Sequence, residues 1–546
     1  MQKCDTAFFN GKIITVDPDD RIVSALGVAG ERIGAVGSRE EIGEHCDSQT
    51  RFVDLKGKTV IPGLIDSHCH LGLTSRSFLH YVDGRCPPNR SISDVLERIR
   101  EKTKQTPAGE LITVHFSMFS DCKLLEKRYP HKEELDSVAP HHPVVILASM
   151  HTSIVNSCAL RSINVTTQTR ELPGGIHIER NPQGDPTGVF KEGSPVGVTP
   201  LSYGQFKDTL KRGIAGYWLP QGFTSAYSFT IDGSELRAYQ ELAAEDSLGL
   251  RIKSMFCEFD NSLHAIDNLV HLGIRSDFGN EKLGLGGVKI FVDGAFMSLT
   301  AACKTPYLNV AKPGYCGVLR ISADRLNAYV KKAHDAGLTL CVHAMGDKAQ
   351  EMALDAYELA LASNTKPHRH RMEHFGCDTG GPQLRKRAKA LGIIPNVTPG
   401  WLHSYGDFLE KHLGKERSRH SFAFRSMLDD GLKPAASSDQ CGTDPMTLDP
   451  FHNIWCAVTR QTYFRNRFEP GEAISVKDAL KMWTTHAAFS GSEENIKGSL
   501  EVGKLADFTV ISDDILSIPE ERIKDLKVET TIIGGKVVYG HSIVKR

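Results

Sequence analysis

Eight short apolar segments between residues 63 and 440 constrain the fold of this chain more than any other feature. Amphipathic helical stretches such as ALDAYELALA lie between several of them. Buried strands that alternate with helices are typical of βα units and a parallel sheet. Eight such units predict an α/β fold, the TIM (β/α)8 barrel. The segments are GLIDSHCH, TSAYSF, RIKSMFCEF, GGVKIFVDG, TLCVHAMGD, RHRMEHF, GIIPNVTP and KPAASSDQ.

The two ends of the chain differ from this pattern. Residues 1–60 contain short β-type runs such as AFFNGKIITV, separated by turn signals, and GSLEVGKLADFTVIS and VETTIIGGKVVYG repeat that texture near the other end. We therefore expect a small composite β-sandwich domain built from residues 1–60 and 488–546. The barrel domain would occupy residues 61–487.

A long segment separates the first two predicted barrel strands. It holds about 150 residues, which is too many for an ordinary βα loop. It includes a further β-like run, HHPVVILASMHTS, and a stretch rich in Gly and Pro, LPGGIHIERNPQGDPTG. We interpret residues 78–212 as an inserted α/β subdomain that caps the barrel mouth.

Charge and composition narrow the classes of partner. Lys plus Arg number 65 against 66 Asp plus Glu, so the chain lacks the net field of proteins that bind nucleic acid or anionic membranes. No signal peptide and no apolar run of about 20 residues is evident, and the 13 cysteines form no C-x-x-C pair. We expect a soluble cytoplasmic protein without disulfides that acts on a small molecule, with a homodimer as the default assembly.

The segment GLIDSHCHL contains three potential metal ligands in a row, His68, Cys69 and His70. Alternate side chains of a strand share a face, so His68 and His70 point the same way and Cys69 points towards the helices. Two imidazoles at the carboxyl end of a barrel strand suit a metal ion, although structural histidines would give the same pattern. Cys69 is predicted to be a packing residue.

Other strand ends carry further polar residues. Each has an ordinary explanation on its own, such as an ion pair, a core histidine or a helix cap. Together with His68 and His70, they would place four imidazoles, a lysine and a carboxylate on one rim of the barrel. These further residues are Lys289 and Asp293 after the fourth strand, His343 after the fifth, His374 after the sixth and Asp439 after the eighth.

The motifs resemble those of a known family. PGLIDSHCHL, VKIFVDG, VHAMGD, RMEH, SSDQ and GSLEVGKLADFTVI are similar to the amidohydrolase superfamily. HHPVVILASMHTSIVNSCAL and PGGIHIERNPQGDPTG in the insert resemble its amidohydrolase family 3 branch of YtcJ-like proteins, which includes N-substituted formamide deformylases. The resemblance extends over nearly the whole chain.

This resemblance implies a binuclear centre of two divalent ions, most simply Zn²⁺. Lys289 would be carboxylated by carbon dioxide and bridge both ions, because a carbamate offers two anionic oxygens and an ammonium offers none. The alternative is one ion, with Lys289 as an unmodified ion-pair partner. The implied ligands are His68, His70 and Asp439 for one ion, and His343 and His374 for the other.

The resemblance also implies hydrolysis of an amide-type C–N bond, possible substrates including N-substituted formamides. A hydroxide shared by the ions would attack, and Asp439 would act as the general base. His151 in the insert would donate a hydrogen bond to the carbonyl oxygen, unless it is an ordinary loop histidine. The alternatives are ring opening of a cyclic amide, deamination, against which Lys289 argues, and an inactive scaffold, against which the complete ligand set argues.

Several neighbouring residues have predicted supporting roles. Asn156 and Ser157 would fix the backbone of the insert, and Glu373 and Asp347 would support the metal histidines or cap helices. His141 and His142 precede a proline and are expected in a solvated turn.

Two segments depart from the family pattern, ELITVHFSMFSDCK in the insert and NVTPGWLH after the seventh strand. Both are expected to line the substrate pocket. Because they differ from the family pattern there, the sequence does not identify the substrate. Trp401, Phe296 and Trp455 could form an aromatic wall of that pocket, and at least one of them is expected to be core.

Overall fold

The computed structural model describes residues 3–540, except residues 118, 150, 174, 175, 377–379, 441 and 442. Eight parallel strands form one sheet in chain order, and each overlaps one of the eight predicted segments. The TIM barrel predicted from the sequence is therefore confirmed. Its strands are Leu64–Cys69, Phe223–Thr230, Arg251–Cys257, Leu283–Phe291, Leu340–His343, Arg371–Glu373, Ile394–Val397 and Ala435–Ala436.

The eighth strand has only two residues, and side chains help it to close the barrel against the first strand. Ser67 Oγ donates to Ala436 O at 2.6 Å, and the Asp439 amide donates to His68 O at 2.9 Å. The buried Asp66 carboxylate accepts from Ser438 N at 2.9 Å and from Ser438 Oγ at 2.6 Å. These bonds fix the position of Asp439 relative to the first strand.

The helices pack against the outside of the barrel through regularly spaced apolar residues. In Ala323–Asp335, the Ser322 side chain caps the first turn, and Leu326, Val330 and Ala333 bury one face. Gly337, which follows this helix, has a φ of 77°, a conformation that glycine adopts without steric cost.

The α-helices are Arg39–Gly43, Leu71–His80, Ile92–Thr103, Ser120–Lys123, Lys132–Val138, Ser157–Ser162, Tyr203–Gly213, Gly233–Ala244, His264–His271, Ala323–Asp335, Asp347–Ser363, Pro382–Ala390, Gly400–Leu413, Lys415–Ser418, Phe424–Asp429, Pro450–Thr459, Val476–Trp483 and Thr485–Ser490. A π-helical turn covers Ile214–Trp218, and 3₁₀ turns cover Leu219–Gln221, Phe296–Ser298, Pro445–Leu448, Pro470–Glu472 and Glu520–Asp525.

The segment between the first two barrel strands forms a sheet of its own with a separate apolar core. Three of its helices, Ile92–Thr103, Lys132–Val138 and Ser157–Ser162, contact this sheet. In spatial order, its strands are His177–Arg180, Pro186–Lys191, Thr152–Val155, Val144–Ala148, Ile112–Phe116 and Val82–Asp83.

Two further sheets contain the strands from the ends of the chain, and one of them combines strands from both ends. Thr59–Pro62 pairs antiparallel with Phe508–Ile511, and the rings of Phe8 and Phe508 meet edge to face at 5.1 Å in the core between the sheets. One sheet contains Arg32–Gly37, Ala25–Ala29, Thr6–Phe9 and Arg51–Asp54, in that order. The other contains Lys536–Gly540, Val528–Ile533, Phe508–Ile511, Thr59–Pro62, Lys12–Ile14 and Ile22–Val23.

The limits of these units stay a prediction. The limits expected at residues 78, 212 and 487 fall inside the helices Leu71–His80, Tyr203–Gly213 and Thr485–Ser490. All eleven described cysteines are free thiols. None of the described helices combines the length and the apolar character that a membrane span requires.

Candidate functional site

The fold brings the six predicted ligands together at the carboxyl end of the barrel strands. They come from the first, fourth, fifth, sixth and eighth strands or from the residues just after them. His374 and Asp439 both adopt left-handed backbone conformations, with φ of 64° and 42°. Such strained non-glycine residues cluster at functional sites.

The Asp439 carboxylate lies at the centre of this group. Its Oδ1 is 3.5 Å from His68 Nε2 and 3.6 Å from His70 Nε2, and its Oδ2 is 3.7 Å from His374 Nδ1. Ligand atoms of His68, His374 and Asp439 all lie within 4.8 Å of one another. One buried carboxylate therefore faces three imidazoles.

Lys289 is 3 % exposed and lies beside the same histidines. Its Nζ is 3.2 Å from His68 Nε2 and lies 4.6 Å and 4.7 Å from the ring centres of Phe229 and Phe291. Among the described residues, no carboxylate oxygen lies within 4.0 Å of this nitrogen. The ion-pair partner expected for an unmodified lysine is thus missing from that part of the chain.

The histidine hydrogen bonds show which nitrogens are available to a metal. His343 Nε2 lies 3.0 Å from Gly294 O. Because a carbonyl only accepts, Nε2 carries the hydrogen, and Nδ1 holds a lone pair without a hydrogen-bond partner. The Nδ1 atom of His374 and both ring nitrogens of His70 are buried without partners as well. Unpartnered buried nitrogens are rare in folded proteins, and four in one cluster fit a metal site.

A carboxylate behind His68 fixes its orientation. Glu373 Oε2 lies 2.6 Å from His68 Nδ1 and also accepts from Arg371 Nη2 at 2.9 Å. His68 therefore donates from Nδ1 and directs Nε2 towards the cluster, which is the usual support for a metal-ligating histidine. As predicted, Glu373 supports a candidate ligand, but that ligand is His68 rather than its neighbour His374. Asp347 lies in the first turn of its helix and accepts from Lys304 N at 2.8 Å.

Burial dominates the electrostatics of the cluster. It raises the pKa of Asp439 to about 8, against the opposing effect of Lys289. It lowers the pKa of His68, His70 and His343 far below the usual range, and Lys289 adds to the shift. The Asp439 carboxylate thus faces neutral imidazoles and, among the described residues, no Lys or Arg within 4.0 Å. Such a carboxylate favours a bound cation.

His151 reaches the same cavity from the insert. Its Nδ1 lies 3.0 Å from Glu192 Oε2, and its ring centre is 6.1 Å from that of His343. Glu192 also accepts from Ser298 Oγ at 3.0 Å and from Thr300 Oγ1. Although burial opposes it, the contacts with His151 and Thr300 lower the pKa of Glu192 to about 2.

Sequence reasoning missed Glu192. The only sequence signal for it was its position, an acidic residue in the run KEG directly after the insert strand Pro186–Lys191. It gains its position because the insert sheet folds over the barrel mouth, and local sequence does not encode that contact.

Four of the candidate ligands and His151 line a small cavity of about 30 Å³. Trp401 forms part of its wall and stacks on His374, with ring centres 5.0 Å apart. Phe296 instead packs between Phe119 and Tyr405, and Trp455 lies against His403 and His452. The lining residues are Ser149, His151, Lys289, Ala295, Met297, His343, Met345, His374, Trp401, Asp439 and Thr443.

Other expectations have mixed outcomes. NVTPGWLH lines the cavity through Trp401, whereas no described residue of ELITVHFSMFSDCK does; Met118 of that segment lies outside the described residues. Larger depressions on the outer face of the barrel, beside Gly233–Ala244 and beside residues 275–281, contain none of the candidate ligands among their described lining residues.

Cys69 and Asp293 lie near the proposed metal ligands in the sequence, but their contacts are structural. Cys69 is fully buried in the apolar core, and its Sγ lies 3.8 Å from Tyr227 O. Asp293 accepts from the amides of Ala302, Met345 and Gly346 at 2.8 to 3.0 Å. Asp293 thus holds the loop after His343 in place.

The insert residues behave largely as expected. Asn156 Oδ1 accepts from Ala159 N and Val144 N, both at 3.0 Å, so it fixes the backbone. Ser157 Oγ donates to Asp136 Oδ2 at 2.6 Å. The solvated turn predicted for the histidine pair is wrong for His142, which is 7 % exposed with Nε2 3.0 Å from Thr106 O.

Comparisons with known proteins agree with this geometry. Residues 51–539 match the model of the amidohydrolase family. The chain is 29% identical to the N-substituted formamide deformylase of Arthrobacter pascens, over 98% of this chain and 99% of that protein. It is 30% identical to the protein LONG AFTER FAR-RED 3 of Arabidopsis thaliana, over 98% of this chain and 91% of that one.

A solved structure is also similar. The crystal structure of an uncharacterized metal-dependent hydrolase from Pyrococcus furiosus is 26% identical, with a TM-score of 0.70 over 94% of this chain and 100% of that one. The resemblance inferred from the motifs is thus confirmed by sequence and by fold. The chain belongs to the amidohydrolase family.

Proposed function

We propose that this protein is a metal-dependent hydrolase that cleaves an amide-type C–N bond of a small molecule, with N-substituted formamides as the first substrate class. The observation that carries the proposal is the buried cluster of four imidazoles, Lys289 and Asp439, in which four imidazole nitrogens lack hydrogen-bond partners. The 29% identity to a formamide deformylase over nearly the full chain supports the substrate class.

We assign two divalent ions to this cluster, with Zn²⁺ as the proposed metal because imidazole and carboxylate ligands suit it. When bound, the ions would activate the attacking water and polarise the scissile carbonyl. His68, His70 and Asp439 would hold one ion, His343 and His374 the other, and a carboxylated Lys289 would bridge them. The environment of Lys289 supports that modification, since no described carboxylate lies within ion-pair distance of its amine.

Asp439 is the proposed base. Its carboxylate would accept the proton of the attacking water and return it to the nitrogen of the leaving amine. The hydrogen bond from its amide to His68 O holds it over the first strand. Its side chain lines the cavity, so the carboxylate can reach a bound substrate.

His151 is proposed to bind the carbonyl oxygen of the substrate. A carboxylate can only accept here, so His151 Nδ1 donates to Glu192. In the proposed role, Nε2 carries a hydrogen as well, and the Glu192 carboxylate balances the charge of the ring. That second donor can stabilise negative charge that develops on the carbonyl oxygen.

We expect His151→Gln and Glu192→Gln each to lower kcat by about 10²-fold, the usual effect of losing one such donor. Metal content should stay at the wild-type level, since neither residue is a proposed ligand. Steady-state kinetics and elemental analysis measure the two quantities, and the exposed His141→Gln is the control. A loss of metal in either variant would contradict the assigned role.

The proposed function itself is tested by a turnover screen with purified, metal-analysed protein. The panel contains N-substituted formamides, longer acyl amides and cyclic ureides. We expect turnover of formamides and at least two divalent ions per chain. Turnover of cyclic ureides alone would select the ring-opening alternative, and protein isolated without chelator that holds almost no metal would refute the mechanism.

A further inference from the structure

A second group of potential metal ligands lies on two helices that follow the seventh and eighth barrel strands in the chain. It consists of His403 on the helix Gly400–Leu413, and His452 and Cys456 on the helix Pro450–Thr459. One ligand atom from each side chain lies within 4.8 Å of the other two. His452 and Cys456 are 7 % and 0 % exposed, and His403 is half-buried.

The spacing of this cluster is close to that of a coordination sphere. His452 and Cys456 are four residues apart, so they share one face of their helix. Cys456 Sγ lies 3.4 Å from His452 Nε2, whereas bond lengths of about 2.0 Å and 2.3 Å to tetrahedral Zn²⁺ place an N and an S ligand about 3.5 Å apart. The ring of His403 meets that of His452 edge to face, with centres 5.0 Å apart.

A hydrogen bond outside the cluster orients His403. Its Nδ1 lies 3.1 Å from Gln461 O. Because the carbonyl only accepts, Nδ1 carries the hydrogen and Nε2 keeps its lone pair, as in most zinc-binding histidines.

The ammonium groups of Lys123 and Lys524 act electrostatically on these histidines but have contacts of their own. Lys123 Nζ donates to Asp444 Oδ1 at 2.7 Å, and Lys524 Nζ lies 4.3 Å from the centre of the Trp455 ring. Neither lysine is a proposed ligand, and neither lies between the three donor side chains, whose ligand atoms are within 4.8 Å of one another.

We propose that His403, His452 and Cys456 bind one Zn²⁺ ion, separate from the cluster at the barrel mouth. Cys456 binds as the thiolate and releases its proton to solvent, and water takes the fourth position on the half-buried side of His403. The ion joins the helices Gly400–Leu413 and Pro450–Thr459. Since Trp401 lies in the first turn of the former helix and stacks on His374, the ion also holds one wall of the cavity.

Cobalt substitution tests this site without depending on activity. The full-length protein is stripped with a chelator, reloaded with Co²⁺ and examined for a thiolate-to-cobalt charge-transfer band in the near ultraviolet. We expect the band in the wild type and in Cys69→Ser, whose thiol is equally buried but faces Tyr227 O. It should vanish in Cys456→Ser.

Zinc stoichiometry is the second measurement. His403→Gln changes only a half-buried side chain, so it replaces Cys456→Ser as the test variant if Cys456→Ser does not fold. Either variant should hold one zinc ion fewer than the wild type, however many ions the barrel mouth binds. A wild type without the band, a band that disappears in Cys69→Ser, or an unchanged zinc count in His403→Gln would overturn the proposal.

Discussion

Lys289→Ala is expected to remove most of the metal at the barrel mouth and to lower kcat/KM by about 10³-fold or more. Lewis-acid stabilisation is worth several kcal/mol, and about 1.4 kcal/mol corresponds to a factor of ten. The lysine contributes through its proposed carbamate, so the loss should exceed that of an ordinary buried lysine. Elemental analysis and steady-state kinetics on a substrate from the screen measure the effect.

Lys497→Ala is the matched control, because Lys497 is also buried but pairs with Glu493 at 2.9 Å. It should lower stability while leaving the metal content intact. Acetate or propionate added to Lys289→Ala should restore part of both metal and activity, since a small carboxylate can occupy the space of the carbamate. Full metal and activity in Lys289→Ala would show that the bridge is wrong.

Asp439→Asn should lower kcat by about 10²- to 10⁴-fold, the range for removal of a general base. The amide has nearly the shape of the carboxylate, so the backbone bond to His68 O and the substrate cavity should persist, and KM should change much less than kcat. Because Asp439 is also a proposed ligand, metal content must be measured on the same sample and activity expressed per metal-loaded site.

Asp507→Asn provides the comparison for this variant. Asp507 is a buried carboxylate too, but it accepts from Arg251 Nε at 2.7 Å, and neither residue lines the cavity. Removing one partner of a buried ion pair lowers the free energy of unfolding by about 3–5 kcal/mol. The Tm of Asp507→Asn should therefore fall, while kcat of the folded protein stays unchanged. If Asp439→Asn kept wild-type kcat at full metal loading, Asp439 would not be the base.

The fold and most of the candidate cluster could be predicted because they depend on local patterns. Strand alternation separates His68 and His70 from Cys69, and the parallel barrel places residues after different strands on one rim. The eight strand positions follow from apolar runs of the right length. None of these inferences requires knowledge of how distant side chains meet.

The contacts that could not be predicted are those between elements far apart in the sequence. Glu192 meets His151 within the insert and Thr300 from the barrel, and Glu373 reaches across to His68. Likewise, His403 meets His452 only because two helices pack together. Such contacts depend on side-chain direction and on docking of whole elements, which periodicity does not encode.

The shared terminal sheet has a consequence for synthesis of the chain. Thr59–Pro62 finds its partner Phe508–Ile511 about 450 residues later. At about 5–20 residues per second, a ribosome needs roughly 20–90 s to deliver that partner. Throughout this interval one edge of the early strand is unpaired and open to association with other chains. Newly made protein is therefore most exposed to misassembly before the last strands emerge, even if the barrel has already formed.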